Sequence, residues 1–319
     1  MDRADLIKNS AAYALMHRDA AENRISHAYL LVSADSETSD ALCTLFLSEC
    51  AVKPDGTPAP FSADVIRLPH GDKVLSSDVE ELTDTVYFTP TELDKKFYVL
   101  DKGETMNEAS QNKLLKVLEE PPPGVVIIIK CANPRALLPT VLSRVKRVDM
   151  DSFSDESLIG YLKSRYGEDG RVYLAAALSQ GRLGLAEAVM TENKWQQLYS
   201  LALDTLKNMK TSRNILGFSV RIMAFKDDLA EFIDILELLL SDCMLASAGV
   251  RDRLKFKNGI KEIIDISAEY DYNVVLRVMP ALRRAKARLA QNGNAQSALD
   301  ELLFSLLEAV SYTHLRAHE

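Results

Sequence analysis

The chain has 319 residues, of which 47% are hydrophobic and 26% charged, and its formal net charge is −8. This is ordinary globular composition: it excludes a disordered or collagen-like chain and leaves room for two or three domains of roughly 100–200 residues each. The acidic balance argues against a protein that grips nucleic acid unaided, because phosphate affinity rests largely on Lys and Arg releasing counterions.

Four cysteines (Cys43, Cys50, Cys131 and Cys243) include no C-x-x-C pair. In a chain this long they read as free thiols in a reducing compartment. The N-terminus lacks an apolar h-region, and no stretch approaches 18 uninterrupted apolar residues. A cytoplasmic location without a membrane span is therefore expected.

The first strand is expected at 29–32, with a strand-to-helix turn over 33–39 (SADSETS) and a helical pattern from Asp40. Further strands are expected at 64–68, 97–100, 125–129 and 145–148. Runs such as FYVL and VVIII are apolar on both faces, as in a parallel sheet covered by helices on each side. Helices are expected at 77–88 and 107–120, the second stopped by Pro121-Pro122-Pro123-Gly124. Alternating strands and helices over about 150 residues imply a doubly wound α/β domain. After Met150 the strand signals vanish. Short helices are expected over 153–190, then longer ones at 195–208, 228–247, 271–292 and 295–310. Residues 311–319 do not continue the apolar periodicity and read as an unstructured or non-native tail.

Three stretches are more specific. Residues 95–134 (KKFYVLDKGETMNEASQNKLLKVLEEPPPGVVIIIKCANP) contain N-x-L-L-K-x-L-E-E-P-P from Asn112 to Pro122. Residues 135–148 contain L-L-P-T-x-x-S-R from Leu137 to Arg144. Residues 281–307 carry A-x-N-x-N-x-x-x-A-L-x-x-L-L from Ala290 to Leu303. Together these resemble the clamp-loader branch of the AAA+ ATPases, over nearly the whole chain. The resemblance implies an AAA+ α/β domain over 1–152, a small helical lid over 153–205 and a helical collar over 206–310.

It also gives the 33–39 turn a meaning. In that family the turn is G-x-x-x-x-G-K-[ST], whose backbone N–H groups wrap the phosphates and whose lysine reaches the β- and γ-phosphates. Here no glycine and no lysine is available from Ser33 to Asp40, and Asp35 and Glu37 would repel a triphosphate. Of three other nucleotide contacts, two depart from the pattern. Lys102 follows Asp101 where a second carboxylate would polarise water. Gly184 stands where the lid arginine is expected, with Arg182 two places early. Asn133 retains a polar sensor position but alone makes no site. No cofactor and no metal are expected.

Arg144 alone reads as a surface arginine in a cluster with Lys146 and Arg147. With its flanking motif, the resemblance implies an arginine finger given in trans to a neighbour's ATP, with Ser143 as its motif partner. Asp101 and Glu104 could pair on a metal, but a solvated or capping role is preferred. Lys113 and Lys116 could touch DNA, but most charged helix faces are merely solvated. The basic run Arg283, Arg284, Lys286 and Arg288 could bind nucleic acid. The family analogy favours a subunit interface there instead. Cys43 and Cys50 fall where relatives carry a four-cysteine zinc module, but two cysteines at this spacing and an isolated His70 lack the ligands for one.

The implied function is an ATPase-inactive stator of a clamp loader, without chemistry of its own. Its implied partners are the clamp-loader ATPase subunits and the delta subunit, through collar and AAA+ surfaces; the sliding clamp and primer–template DNA would be engaged indirectly, with no membrane. Two alternatives are a competent ATPase with a divergent phosphate loop and an AAA+-like adaptor outside replication.

Overall fold

The computed structural model describes residues 2–256 and 259–316, with side chains to residue 311. Two compact units are present: residues 1–167 with 180–185, and residues 168–179 with 186 onward.

In the first unit, α1 (Arg3–Lys8) and α2 (Ala11–Ala21) precede β1 (Ala28–Val32), which feeds α3 (Ser36–Cys50). Then follow β2 (Val65–Leu68), α4 (Ser76–Thr85), β3 (Lys96–Leu100), α5 (Glu108–Glu119), β4 (Val125–Cys131), α6 (Pro139–Leu142), β5 (Lys146–Asp149) and α7 (Asp155–Tyr166). All five expected strands form. They make one parallel sheet in the order β2-β3-β4-β1-β5.

Both faces of the sheet are covered, as the apolar runs require. Ala28 and Leu30 of β1 pack with Tyr98, Ile127 and Ile129 and with Leu114 and Val117 of α5. On the other face the Tyr29 ring meets Phe46 of α3 edge-on, with centroids 5.2 Å apart. α5 forms where its signals put it. Asn107 caps it by accepting the Ser110 N–H at 2.8 Å, and Pro121 prevents its continuation.

Two features depart from the sequence reading. α1 and α2 carry little apolar periodicity and were not anticipated. α2 buries only Ala12, Met16 and Asp19. Asp19 is held inside by ion pairing, accepting from the Tyr29 hydroxyl at 2.8 Å and the Lys146 ammonium at 2.7 Å. In addition, α3 begins at Ser36, so the turn after β1 is only Ser33, Ala34 and Asp35. The polar first turn of α3 concealed its start.

The second unit is helical: α8 (Arg171–Ser179), most of α9 (Leu183–Thr191), α10 (Asn193–Asn208), α11 (Ser212–Met223), α12 (Leu229–Ser247), α13 (Ile260–Ser267), α14 (Tyr272–Ala290) and α15 (Ala295–Arg316). α12 is its central element, packing on α10, α13 and α14, while α14 and α15 form a helical hairpin. Asp242 of α12 is buried and accepts the N–H groups of Lys255 and Phe256, at 2.9 Å in each case from Oδ2, which fixes the chain after α12. α15 continues past Val310, and residues 317–319 of the expected tail lie outside the described residues.

Asp64 ties the first unit together below the sheet edge. Only 3% exposed, it accepts N–H bonds from Thr91, Glu92 and Leu93 at 2.6–3.0 Å. Burial pushes its carboxyl pKa up, but these donors outweigh burial and hold it below the usual range. A depressed folded pKa gives stability that is present above the unfolded pKa and lost as pH falls through the folded one. Asp64→Ala should therefore cost about 2–4 kcal/mol in urea unfolding at pH 7, with three N–H groups orphaned. The gap to the parent chain should narrow below about pH 4.

Candidate functional site

In a doubly wound sheet, ligands bind beyond the carboxyl ends of the strands where the winding reverses. Here the crossover from β1 leads toward β2 and that from β4 toward β5, so the reversal lies at β1 and β4. The turn Ser33–Asp35, the start of α3, Asp101 after β3, and Lys130 and Asn133 at the end of β4 converge on this edge.

The turn is closed by its own chain. Ser33 donates its N–H to the Cys131 carbonyl at 3.1 Å. Its hydroxyl donates to the Asp35 carbonyl at 2.9 Å and accepts the Asp35 N–H at 3.1 Å. The Asp35 carboxylate does not cap α3. It accepts the Thr38 hydroxyl at 2.6 Å and the Gly184 N–H at 2.9 Å. A Cβ on Gly184 would lie 2.7 Å from both Asp35 Oδ1 and Glu37 Cγ, so a larger residue would force these side chains to shift. The segment that would carry a nucleotide-binding arginine is thus pressed onto the phosphate turn. Beside it, the Arg3 guanidinium donates to the Glu37 carboxylate at 2.7 Å and to its carbonyl at 3.0 Å.

A lysine is present after all, but it comes from β4. Lys130, with a side chain only 3% exposed, pairs with Asp40 of α3 and, at 3.1 Å, with Asp101 after β3. Burial pulls its ammonium pKa down, but the two carboxylates overcome this and leave it above the ordinary value. Two of the carboxylates at this edge, Asp40 and Asp101, therefore already share one internal cation. Sequence reasoning missed Lys130 because its partners are 90 and 29 residues away.

Asp101 and Glu104 do not converge on a shared site. Asp101 Oδ1 accepts the Lys102 N–H at 2.8 Å, and Glu104 accepts the Ala132 N–H at 3.1 Å. Lys102 adopts φ +53° and donates to the Asp72 carbonyl at 3.1 Å. Asn133 caps a short turn, accepting the Arg135 N–H at 3.2 Å. Arg182 is half-buried in the segment that delivers Gly184.

Arg144 lies at the other edge of the sheet, two residues before β5. Its Nη1 donates to the Thr140 carbonyl at 2.8 Å and to the Ser143 hydroxyl oxygen at 3.1 Å. Its Nη2 meets Glu119, the last residue of α5, at 2.7 Å, and its side chain is 33% exposed. Ser143 thus orients Arg144.

The basic run is largely consumed inside the helical unit. Arg284 and Arg288 of α14 both pair with Glu301 of α15, at 3.2 and 2.6 Å. Lys286 pairs with Asp234 at 2.5 Å and with Glu237, both on α12. Arg283 is exposed and makes no ion pair among the described residues. Lys113 pairs with Glu80 at 2.6 Å, while Lys116 is exposed. Cys43 is buried, and the Cys50 thiol donates to the Phe46 carbonyl at 2.9 Å. Burial pushes these thiols up to about 11 and about 12, so neither is a thiolate near neutrality. His70 pairs with Glu81 at 3.1 Å. Among the described residues no helix is long and apolar enough to cross a membrane.

Comparison with known proteins finds similarity to DNA polymerase III subunits. A family described as "DNA polymerase III, delta subunit" matches residues 8–154, a span containing both sheet-domain motifs. The DNA polymerase III subunit delta' of Bacillus subtilis is 22% identical over 314 residues, covering 92% of this chain and 94% of its own. The subunit gamma/tau of Mycobacterium tuberculosis is 30% identical over 136 residues, or 38% of this chain. That match spans only 24% of the gamma/tau protein's length. A solved Thermotoga maritima structure, described as a DNA polymerase III gamma subunit-related protein, covers 92% of this chain at 16% identity and a TM-score of 0.46.

Removing the internal cation tests its contribution. Lys130→Met should lower stability by about 1–3 kcal/mol at neutral pH, less than a fully buried pair would lose because both carboxylates are partly exposed. A raised folded pKa means that this stability is present below the unfolded value near 10.5 and lost as pH rises through the folded one. Urea unfolding of both chains should show a constant gap from about pH 6 to about pH 10 that closes as pH rises further.

Proposed function

We propose that this relative of the DNA polymerase III clamp-loader subunits is a delta prime-type stator, which hydrolyses no ATP itself and presents Arg144 to ATP bound by a neighbouring subunit. One contrast carries the reading. The carboxyl edge of the sheet, where a nucleotide would bind, is filled by Asp35, Gly184, Lys130 and their partners. A motif arginine stands partly exposed at the opposite edge.

On this reading the chain supplies positioning and charge, with no bond made or broken on it. The guanidinium offsets negative charge that develops on the neighbour's γ-phosphate during transfer. In GTPases such a group is worth roughly 10³–10⁵ in kcat. Residues 153–205 serve as the lid and 206–310 as the collar that joins the clamp-loader ATPase subunits and the delta subunit. The assembly opens a sliding clamp and loads it on primer–template DNA in the cytoplasm. Within the collar, the Arg284 and Arg288 pairs with Glu301 brace the helical hairpin, leaving Arg283 as the cation best placed to meet a partner.

Two measurements test this. Calorimetry of the isolated chain with Mg–ATP should give no saturable heat; a micromolar dissociation constant would instead favour a competent ATPase. Co-purification with clamp-loader ATPase subunits should succeed for the parent chain and for Arg144→Ala alike. Clamp- and DNA-stimulated hydrolysis by the Arg144→Ala complex should fall by at least about tenfold. Unchanged turnover would favour an adaptor whose finger position is idle.

A further inference from the structure

The segments carrying the two motifs most specific to this chain, Asn112–Pro122 and Leu137–Arg144, meet in space at two points, one through Gln111 just before the first motif and one through Glu119 within it. Near the start of α5 the Gln111 side chain, 3% exposed, grips the incoming segment. Its Nε2 donates to the Ala136 carbonyl at 3.1 Å, and its Oε1 accepts the Leu138 N–H at 2.7 Å. At the far end of α5, Glu119 pairs with Arg144. One helix therefore splints the arginine segment at both ends.

The contacts at Arg144 divide its five N–H donors unevenly. Both Nη1 donors are used within the segment, on Thr140 and Ser143. Those two bonds fix one corner of the guanidinium but leave it free to swing about that corner. The Glu119 carboxylate approaches Nη2 to 2.7 Å as an ion pair and so restrains the plane. Nε–H and one Nη2–H have no partner among the described residues. They form the edge suited to a bidentate phosphate contact.

We propose that Glu119 is a positioning residue for Arg144, setting the plane in which the guanidinium is offered to the neighbour's phosphates; this rests on the reading of Arg144 as an in-trans finger. As a stabilising contact the pair is minor, because half-exposed ion pairs contribute about 0–1 kcal/mol. Orientation is where it matters, since a misplacement of about 1 Å in a reacting constellation can cost about 10²-fold in rate.

The test is a double-mutant cycle in the assembled complex, read as stimulated ATP turnover. Glu119→Ala should lower kcat by about tenfold or more, with the KM for ATP changed by less than about twofold. Glu119→Gln keeps the acceptor oxygen and should recover most of the loss. On an Arg144→Ala background, Glu119→Ala should have no further effect. In the isolated chain, NMR relaxation at Arg144 Nε should show a more mobile side chain in Glu119→Ala, with an unchanged melting temperature confirming the fold.

If Arg144→Ala lowers turnover but Glu119→Ala does not, the positioning role is wrong and the finger reading stands. If Arg144→Ala has no effect, both fall. A loss that persists on the Arg144→Ala background would mean that Glu119 acts elsewhere. A rise in turnover with Glu119→Ala would make it a restraint on Arg144 and equally overturn the proposal.

Discussion

A lysine ammonium held between two carboxylates governs what this sheet can bind. Lys130 joins the end of β4 to α3 through Asp40 and to the end of β3 through Asp101. Those are the strand ends over which a doubly wound fold normally receives a phosphate and its metal. With an internal cation in place, the carboxylates there are already paired. A divalent ion would have to displace a covalently tethered competitor. The Gly184 N–H closes the same edge from the other side, offering its hydrogen bond to Asp35 rather than to a ligand.

The opposite edge is built differently. There the last residue of α5 and the segment before β5 leave a guanidinium one-third exposed, with two donors unspent. The sheet that orders these edges is the same, and its parallel register fixes which residues fall at which edge. Closing one edge therefore costs the other nothing. On the proposed reading, that separation would let a fold give up its own ligand while keeping a group that serves a neighbour.

Much of this was legible in the sequence, for local reasons. VVIII and FYVL read as strands buried on both faces by their β-branched and apolar content, and Asn107 and Pro121 bracket α5 by capping and by breaking. The absence of glycine and lysine from Ser33 to Asp40 was a direct reading. What escaped was non-local. Lys130 was not singled out, because its burial and both partners come from the fold. Gly184 looked like a missing arginine and proves to be a backbone donor to Asp35, packed closely against the Asp35 and Glu37 side chains. The Arg284–Arg288 run looked like a single basic face, but its partners lie on α12 and α15, beyond the reach of local patterning. α2 was hidden because its buried face includes an aspartate held by pairing rather than by apolarity.

The most direct test of the filled edge is a crystal structure of the chain grown with magnesium and a non-hydrolysable ATP analogue in large excess. Expected is Lys130 still bridging Asp40 and Asp101, with the Gly184 N–H on Asp35 and no nucleotide density at this edge. Triphosphate density beside Asp35 and Thr38, with Gly184 displaced and Lys130 turned toward the phosphates, would contradict the central claim.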